Sequence, residues 1–260
     1  MKAASRLGYG VCGLALLWLA WSAGARVFGP FVLPQPAEAA ARLAELFASG
    51  EATAAIATTG AQALGGWLSA CFAGLLLASA AAFLPPLEAA TRPVATILLG
   101  VPPVAWLVLA LLWFGPAGAA PAFVTSIAIF PVVFVAALQG LAARDPLLDE
   151  MADMFRAPLR QRVADILLPQ ALGHLLPAMA TALGFAWKVC VMAEVMSAGT
   201  GIGARLASAR AHLDLPETMA WIMLVMGLAL VCDLALIAPL RGLFDRQRGD
   251  ARAQGAPARA

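Results

Sequence analysis

Apolar positions in this chain come in long blocks, broken by short polar turns. Six blocks predict helical spans near residues 7–25, 60–84, 93–114, 122–141, 172–198 and 216–240. Each approaches or exceeds the ~20 residues a helix needs to cross a bilayer core. None shows the two-residue alternation of a membrane barrel strand. Between the first two blocks lies FVLPQPAEAAARLAELFASGE, in which Leu43, Leu46 and Phe47 recur at helical spacing. That spacing predicts a short amphipathic helix along the membrane surface. Turn punctuation falls at Pro85-Pro86, Gly115-Pro116 and the Gly199–Gly203 cluster. From Asp245 onward the chain is polar and rich in Ala and Gly, as a solvated end would be. The pattern divides the chain into a first helix with the amphipathic segment (1–59), a helical bundle (60–240) interrupted by a charged loop (142–171), and a tail (241–260).

Composition agrees with that division. Hydrophobic residues make up 62% of the chain, charged residues 12%, and the mean hydropathy is +0.85. A soluble domain does not have this balance, so the chain is read as an all-α, polytopic membrane protein of about six transmembrane helices. With the N-terminus inside, twelve Lys and Arg residues fall on the cytoplasmic side and four (Arg26, Arg42, Arg205, Arg210) outside. Lys2 and Arg6 precede the run Leu7–Trp21, and Ser22–Ala25 resembles a signal cleavage site. The segment is nevertheless expected to stay as the first helix, because the later spans have the same inner-membrane character.

Candidate chemistry is sparse. Cys12, Cys71, Cys190 and Cys232 each lie in an apolar run without metal-ligand or redox spacing, which suits core packing. His174 and His212 have no acidic or cysteine companions at ligand spacing. Lys2 and Lys188 are the two lysines of the sequence, and neither sits in a phosphate-binding Gly-x4-Gly-Lys-Ser/Thr loop. No metal, cofactor, catalytic set or nucleic-acid partner is expected.

The charged loop carries more pattern than its arginines require. In DEMADMFRAPLRQRVADILLPQAL, residues 149–172, Met151, Met154 and Phe155 continue a helical stripe begun by Leu147. Asp149, Glu150 and Asp153 are expected on the other side of that helix. Pro158 suits the first turn of a second helix, with Leu159, Val163, Ile166 and Leu167 on one face. Two such faces need a partner, which is the protein's own helices, the lipid surface or another subunit.

The loop resembles the signature of permease subunits of binding-protein-dependent ABC importers, which reads Glu-Ala-Ala, three residues, Gly, nine residues, Ile-x-Leu-Pro. Here Glu150-Met151-Ala152 is followed by Arg156 and by Ile166-Leu167-Leu168-Pro169 at the same spacing. Met replaces the first Ala, and Arg156 replaces the Gly. Leu33–Pro36 (LPQP), VPPVAWLVLALLWFG (Val101–Gly115) and AWKVCVMAEVMSAGTGIGARLASAR are similar to runs in the nitrate/sulfonate/taurine-type permeases, whereas Gln62 stands where an Arg is usual. The resemblance implies the MetI-like permease fold in the bacterial inner membrane. It also implies a homodimer, an ABC ATPase subunit docked under each loop, and a periplasmic substrate-binding protein. The ATPase-coupling residues carried over are Glu150, Met151, Ala152, Met154, Phe155, Arg156, Ile166, Leu168 and Pro169. Arg156, where a tight turn is normal, either moves that turn to Ala157-Pro158 or weakens docking.

Among ionisable residues in the spans, Lys188 and Glu194 are candidates for the translocation pathway, and Asp233 suits helix packing. Lys188 has two readings, a pathway cation for an anionic substrate and a structural ion pair with a neighbouring helix. Gly199, Gly201 and Gly203 fit either a bend into an outer gate or plain turn chemistry. The expected substrate is a small anion such as a sulfonate, taurine or nitrate. A thiamine precursor or another small organic solute is the alternative. A secondary transporter would show repeated halves with broken helices, and no internal repeat is evident.

Overall fold

The computed structural model describes residues 2–232 except 117, 144 and 198, and among them there is no strand. The elements are α1 (Lys2–Phe28), α2 (Pro36–Ala48), α3 (Glu51–Phe83), α4 (Pro85–Gly100), α5 (Pro103–Phe114), α6 (Ala120–Ala142), α7 (Pro146–Met154), α8 (Leu159–Gln161), a π-helical turn (Arg162–Leu167), α9 (Leu168–Met196), α10 (Ile202–Ala211) and α11 (Leu215–Cys232). The helix 3, helix 6 and combined α8–α9 segments, together with α11, are long and apolar enough to cross a membrane. The bent pair α4–α5 makes a fifth crossing if counted as one span. This is the expected all-α membrane architecture, with four or five such spans among the described residues against the about six expected, and α1 contributing only the shorter apolar stretch Ala15–Phe28. Asp233 and the tail from residue 241 lie outside the described residues.

The centre of the bundle is α6 packed between α3 and α9. On α3 the buried face is a ladder of small residues that includes Ala63, Gly66, Ala70, Gly74 and Ala78. Helices gain no hydrophobic drive from associating in lipid, so they bind by close backbone approach, which small residues permit. The approach is tight at Gly66, where an added Cβ would lie 2.6 Å from the Ala122 carbonyl oxygen and 2.7 Å from the Thr125 Cβ. Facing this ladder, α6 supplies Ile129, Val133 and Phe134, all fully buried. The other side of α3 presents Leu64, Leu68, Phe72 and Leu76 outward.

At the edge, Trp21 donates from Nε1 to the Pro34 carbonyl at 3.0 Å and ties α1 to the start of α2. The amphipathic helix α2 is anchored to α11 by Arg42, whose guanidinium donates to Glu217 and Glu45 at 2.8 Å each. These carboxylates, Glu217 first, hold the Arg42 pKa above its ordinary value.

Three helices depart from the apolar blocks. The third block is not one helix: α4 and α5 meet at 95° across Val101 and Pro102. Pro102 and Pro103 lack backbone N–H groups, and each disfavours helical geometry in the residue before it, so an apolar run here cannot remain straight. The second block extends outward to Glu51, giving α3 33 residues. The helix expected after Pro158 is not separate either, since α8, the π turn and α9 run on as one 38-residue segment, Leu159–Met196. Pro169 explains the π turn. Its missing N–H and its ring disrupt the bonding of the preceding turn, and widening lets Leu168 N–H bond the Val163 carbonyl instead.

The end of α7 keeps its turn at Arg156 and does not move it to Ala157-Pro158. Arg156 takes the left-handed conformation, with φ +47°. Its N–H bonds the Asp153 carbonyl at 3.0 Å, and Ala157 N–H reaches back to the Ala152 carbonyl at 2.9 Å. This pair of bonds is a Schellman ending, whose left-handed residue is usually glycine. Arg162 braces it, donating from Nε to the Ala157 carbonyl at 3.0 Å and from Nη2 to the Ala152 carbonyl at 3.2 Å, while pairing with Asp153.

Two outcomes follow from this packing. Gly66→Ala is expected to destabilise the bundle by about 1–3 kcal/mol through overpacking. Gly65→Ala, with open space around its Cβ, is expected to leave the melting temperature in detergent unchanged or slightly raised, since Ala is the better helix residue. Arg156→Gly is expected to stabilise the loop by about 1 kcal/mol, because it removes the left-handed penalty of a side chain. A higher melting temperature for the purified variant checks this, and an unchanged or lower one contradicts it.

Candidate functional site

The signature loop is built from α7 and the start of the long α8–α9 segment. Asp145 caps α7, accepting from Leu147 N–H at 3.0 Å, and its own N–H donates to Gln170 Oε1 at 2.9 Å. On α7, Ala152 is buried, whereas Leu147, Met154 and Phe155 are 70%, 83% and 76% exposed. Met151 is also exposed on this stripe. Glu150 is exposed too, and its helical position puts it at the rim of the apolar face rather than beside Asp149 and Asp153. The two aspartates instead border a cavity of about 400 Å³ with Phe83, Arg162, Val163 and Ile166. On the apolar face expected for the second helix, Leu159 and Val163 are exposed, and with Ile166 and Leu167 they border this cavity beside the equally exposed Phe83. The stripe on α7 has no partner among the described residues. Leu168 is exposed, and Pro169 stands in the first turn of α9.

The two candidate pathway residues on α9 have different surroundings. Lys188 is exposed, on a stripe with Thr181, Phe185, Met192 and Met196 at three- and four-residue spacing. It forms no ion pair among the described residues. Glu194 is fully buried. Its Oε2 accepts from Thr59 Oγ1 at 2.8 Å and from Gly203 N–H at 2.9 Å. Thr59 Oγ1 in turn accepts from Ile202 N–H at 2.9 Å. One carboxylate and one hydroxyl thus satisfy two N–H groups of the first turn of α10, which an intrahelical bond cannot reach. Gly201 takes φ +119° and ψ −179°, a region essentially reserved for glycine. A Cβ on Gly201 would collide with the Glu194 carboxylate, and one on Gly203 with the Val191 carbonyl.

Sequence reasoning flagged Glu194 as a costly charge but missed Thr59, 135 residues away. The clue to the contact was the pair Gly201 and Gly203 beside a buried acid. Gln62, on the same helix as Thr59, is half-buried, and its Oε1 has no hydrogen-bond partner.

Known proteins agree with this layout. The family model described as binding-protein-dependent transport system inner membrane component matches residues 70–248. The putative aliphatic sulfonates transport permease protein SsuC of Bacillus subtilis (strain 168) is 29% identical over 187 residues, covering 72% of this chain and 68% of that protein. The taurine transport system permease protein TauC of Escherichia coli (strain K12) is 29% identical over 159 residues, covering 61% of this chain and 58% of that protein. Among solved structures, the crystal structure of an amino acid ABC transporter with histidines superposes with a TM-score of 0.62 at 20% identity, over 79% of this chain and 97% of that one. That likeness speaks for the fold. With the family model spanning well over half of the sequence and the signature loop inside it, the chain belongs to the inner-membrane components of binding-protein-dependent transport systems, and is a multi-pass inner-membrane permease of the ABC importer class.

Proposed function

We propose that this permease works as a homodimer that moves a small anion of the sulfonate, taurine or nitrate class across the inner membrane. In this reading a periplasmic binding protein delivers the substrate, and a separate ATPase drives transport through α7. The observation that carries it is the exposed stripe Leu147, Met151, Met154 and Phe155, an apolar helical face with no partner among the described residues. Such a face suits a groove on another protein, with Glu150 at its rim to meet a basic group.

The brace from Arg162 to Ala152 and Asp153 joins α7 to the segment that continues as α9. A displacement of α7 by a closing ATPase dimer would therefore reach the spans through a stiff connection. For the substrate, the support is the names of the similar permeases and the positive charge of Lys188 on the open stripe of α9. A lysine at that depth is costly against hydrocarbon and fits a water-lined path.

Truncating a buried aromatic anchor costs roughly 2 kcal/mol at an interface, which is about thirtyfold in affinity. Phe155→Ala is expected to release the ATPase during purification while the permease stays inserted. Glu150→Lys is expected to weaken the same contact, more at low salt. Wild-type ATPase stoichiometry and stimulation in both variants would overturn the coupling role. Lys188→Met is expected to abolish uptake into proteoliposomes while the dimer and its ATPase still co-purify. Normal uptake, or failure to assemble, would count against the pathway role.

A further inference from the structure

At the end of the bundle opposite the signature loop, a cavity of about 380 Å³ opens between the first two turns of α3 and the start of α10. That volume is within the range of small-molecule sites. Its polar lining is Glu51 and Thr58 from α3, Thr200 from the turn, and Arg205 and Ser208 from α10. The cavity thus holds one guanidinium, one carboxylate and three hydroxyls.

Arg205 Nη1 and Glu51 Oε2 are 3.4 Å apart, with both side chains about half exposed. The surface pairs Arg42–Glu45 and Arg92–Glu88 close to 2.8 Å. A charge-assisted hydrogen bond normally closes to ~2.7–2.9 Å, so the pair in the cavity is held loosely. Its wall, by contrast, is fixed. Gly201 lines the cavity, and behind it the buried Glu194 carboxylate binds Thr59 and the Gly203 N–H. Thr59 follows Thr58 directly in the sequence and is locked to Ile202 N–H. The result is a polar cleft with a preorganised back and a separable ion pair at its mouth.

We infer that this cleft is a receiving site for a small zwitterion, whose oxyanion is taken by Arg205 with the neighbouring hydroxyls and whose ammonium is taken by Glu51. A simple anion placed on Arg205 displaces Glu51 and leaves a carboxylate facing it. A simple cation on Glu51 takes the carboxylate paired with Arg205 and leaves the guanidinium only the influence of Glu217, which Arg42 already holds. A molecule with both charges replaces each partner of the pair it opens, so neither protein charge is left alone. The inference rests on the importer reading above and narrows its substrate class to molecules with an amine beside the oxyanion.

The test uses the permease–ATPase complex in nanodiscs, with Ala204→Cys in the cavity wall as a reporter of labelling by a charged maleimide. The parent chain corrects for the native cysteines. 2-Aminoethanesulfonate, ethanesulfonate and ethylamine are titrated as protectants. The expected result is protection by 2-aminoethanesulfonate at concentrations about tenfold or more below either single-charge analogue. Adding Glu51→Gln is expected to bring ethanesulfonate level with 2-aminoethanesulfonate, and adding Arg205→Gln to remove protection by both. Equal protection by ethanesulfonate in the parent reporter, protection by none of the three, or an unchanged preference in Glu51→Gln would overturn the inference. Recovery of the ATPase in the same preparations reads the importer assignment separately. If it is retained while the protection pattern is absent, only the zwitterion site fails.

Discussion

A backbone N–H or C=O inside a bilayer has no water to turn to, and leaving one unpaired costs several kcal/mol. This chain interrupts its helices in several places within or beside the apolar region, and each described break needs its own substitute partners. Where α9 stops and α10 begins, the Glu194 carboxylate and the Thr59 hydroxyl take the N–H groups of Gly203 and Ile202. Where α7 stops, the Arg156 and Ala157 N–H groups turn back onto Asp153 and Ala152, and Arg162 supplies further donors. Where Pro169 interrupts the approach to α9, the helix widens and Leu168 N–H finds Val163. The repair at α10 and the one Arg162 makes at α7 use residues from other elements, so these two also fix one helix against another. The side chains that satisfy the backbone are therefore the ones that set the tertiary arrangement.

The two ends of the long α8–α9 segment show what this makes possible. Its start is clamped to α7 by Arg162, and its far end is clamped to α3 and α10 by Glu194. Between them α9 packs on α6, which packs on the small-residue face of α3. Packed helices of this kind change between discrete arrangements rather than bending freely. The α8–α9 segment thus links α7 to the turn at Gly199–Gly203 through one continuous helix. Arg156 is the weak joint in that route, since a non-glycine residue occupies its left-handed position.

Much of the architecture was legible in the sequence, and the reasons are physical. Long apolar runs can only be helices in lipid, so the bundle and the order of its spans followed from block length. The stripe on α7 was visible because Leu147, Met151, Met154 and Phe155 obey the helical period. Placing Glu150 with Asp149 and Asp153 treated all acids as one face, although residue 150 is three positions after Leu147 and so borders the stripe. The break at Val101-Pro102-Pro103 was present as prolines but hidden by unbroken hydropathy, because hydropathy measures where a segment sits and not how it bends. The tie between Glu194 and Thr59 could not be seen, since no local rule links a threonine on α3 to an acid 135 residues later. The loose pair of Glu51 and Arg205 was hidden in the same way, as its members meet only when α10 folds back on α3.

The two charges of α9 show how much one chain can resolve by itself. Six residues apart, Lys188 and Glu194 lie on different faces of one helix. The glutamate faces inward, and its Oε2 accepts from two protein donors while Oε1 meets the Cys190 thiol, so its burial is matched by hydrogen bonds. The lysine faces outward on the stripe of Phe185, Met192 and Met196. It lies eight residues before the outer end of α9, ~12 Å along the axis. A lysine at the centre of a spanning helix costs roughly 2.5–3.5 kcal/mol on membrane-insertion scales. No side chain among those described offsets that penalty. The missing compensation has to come from outside the single chain, either as water in a path along this stripe or as the surface of another protein against it. Among the described faces of α9, this stripe is therefore the one whose chemistry is incomplete in a lone permease, and the one against which a second subunit or a transported ion has a physical reason to sit.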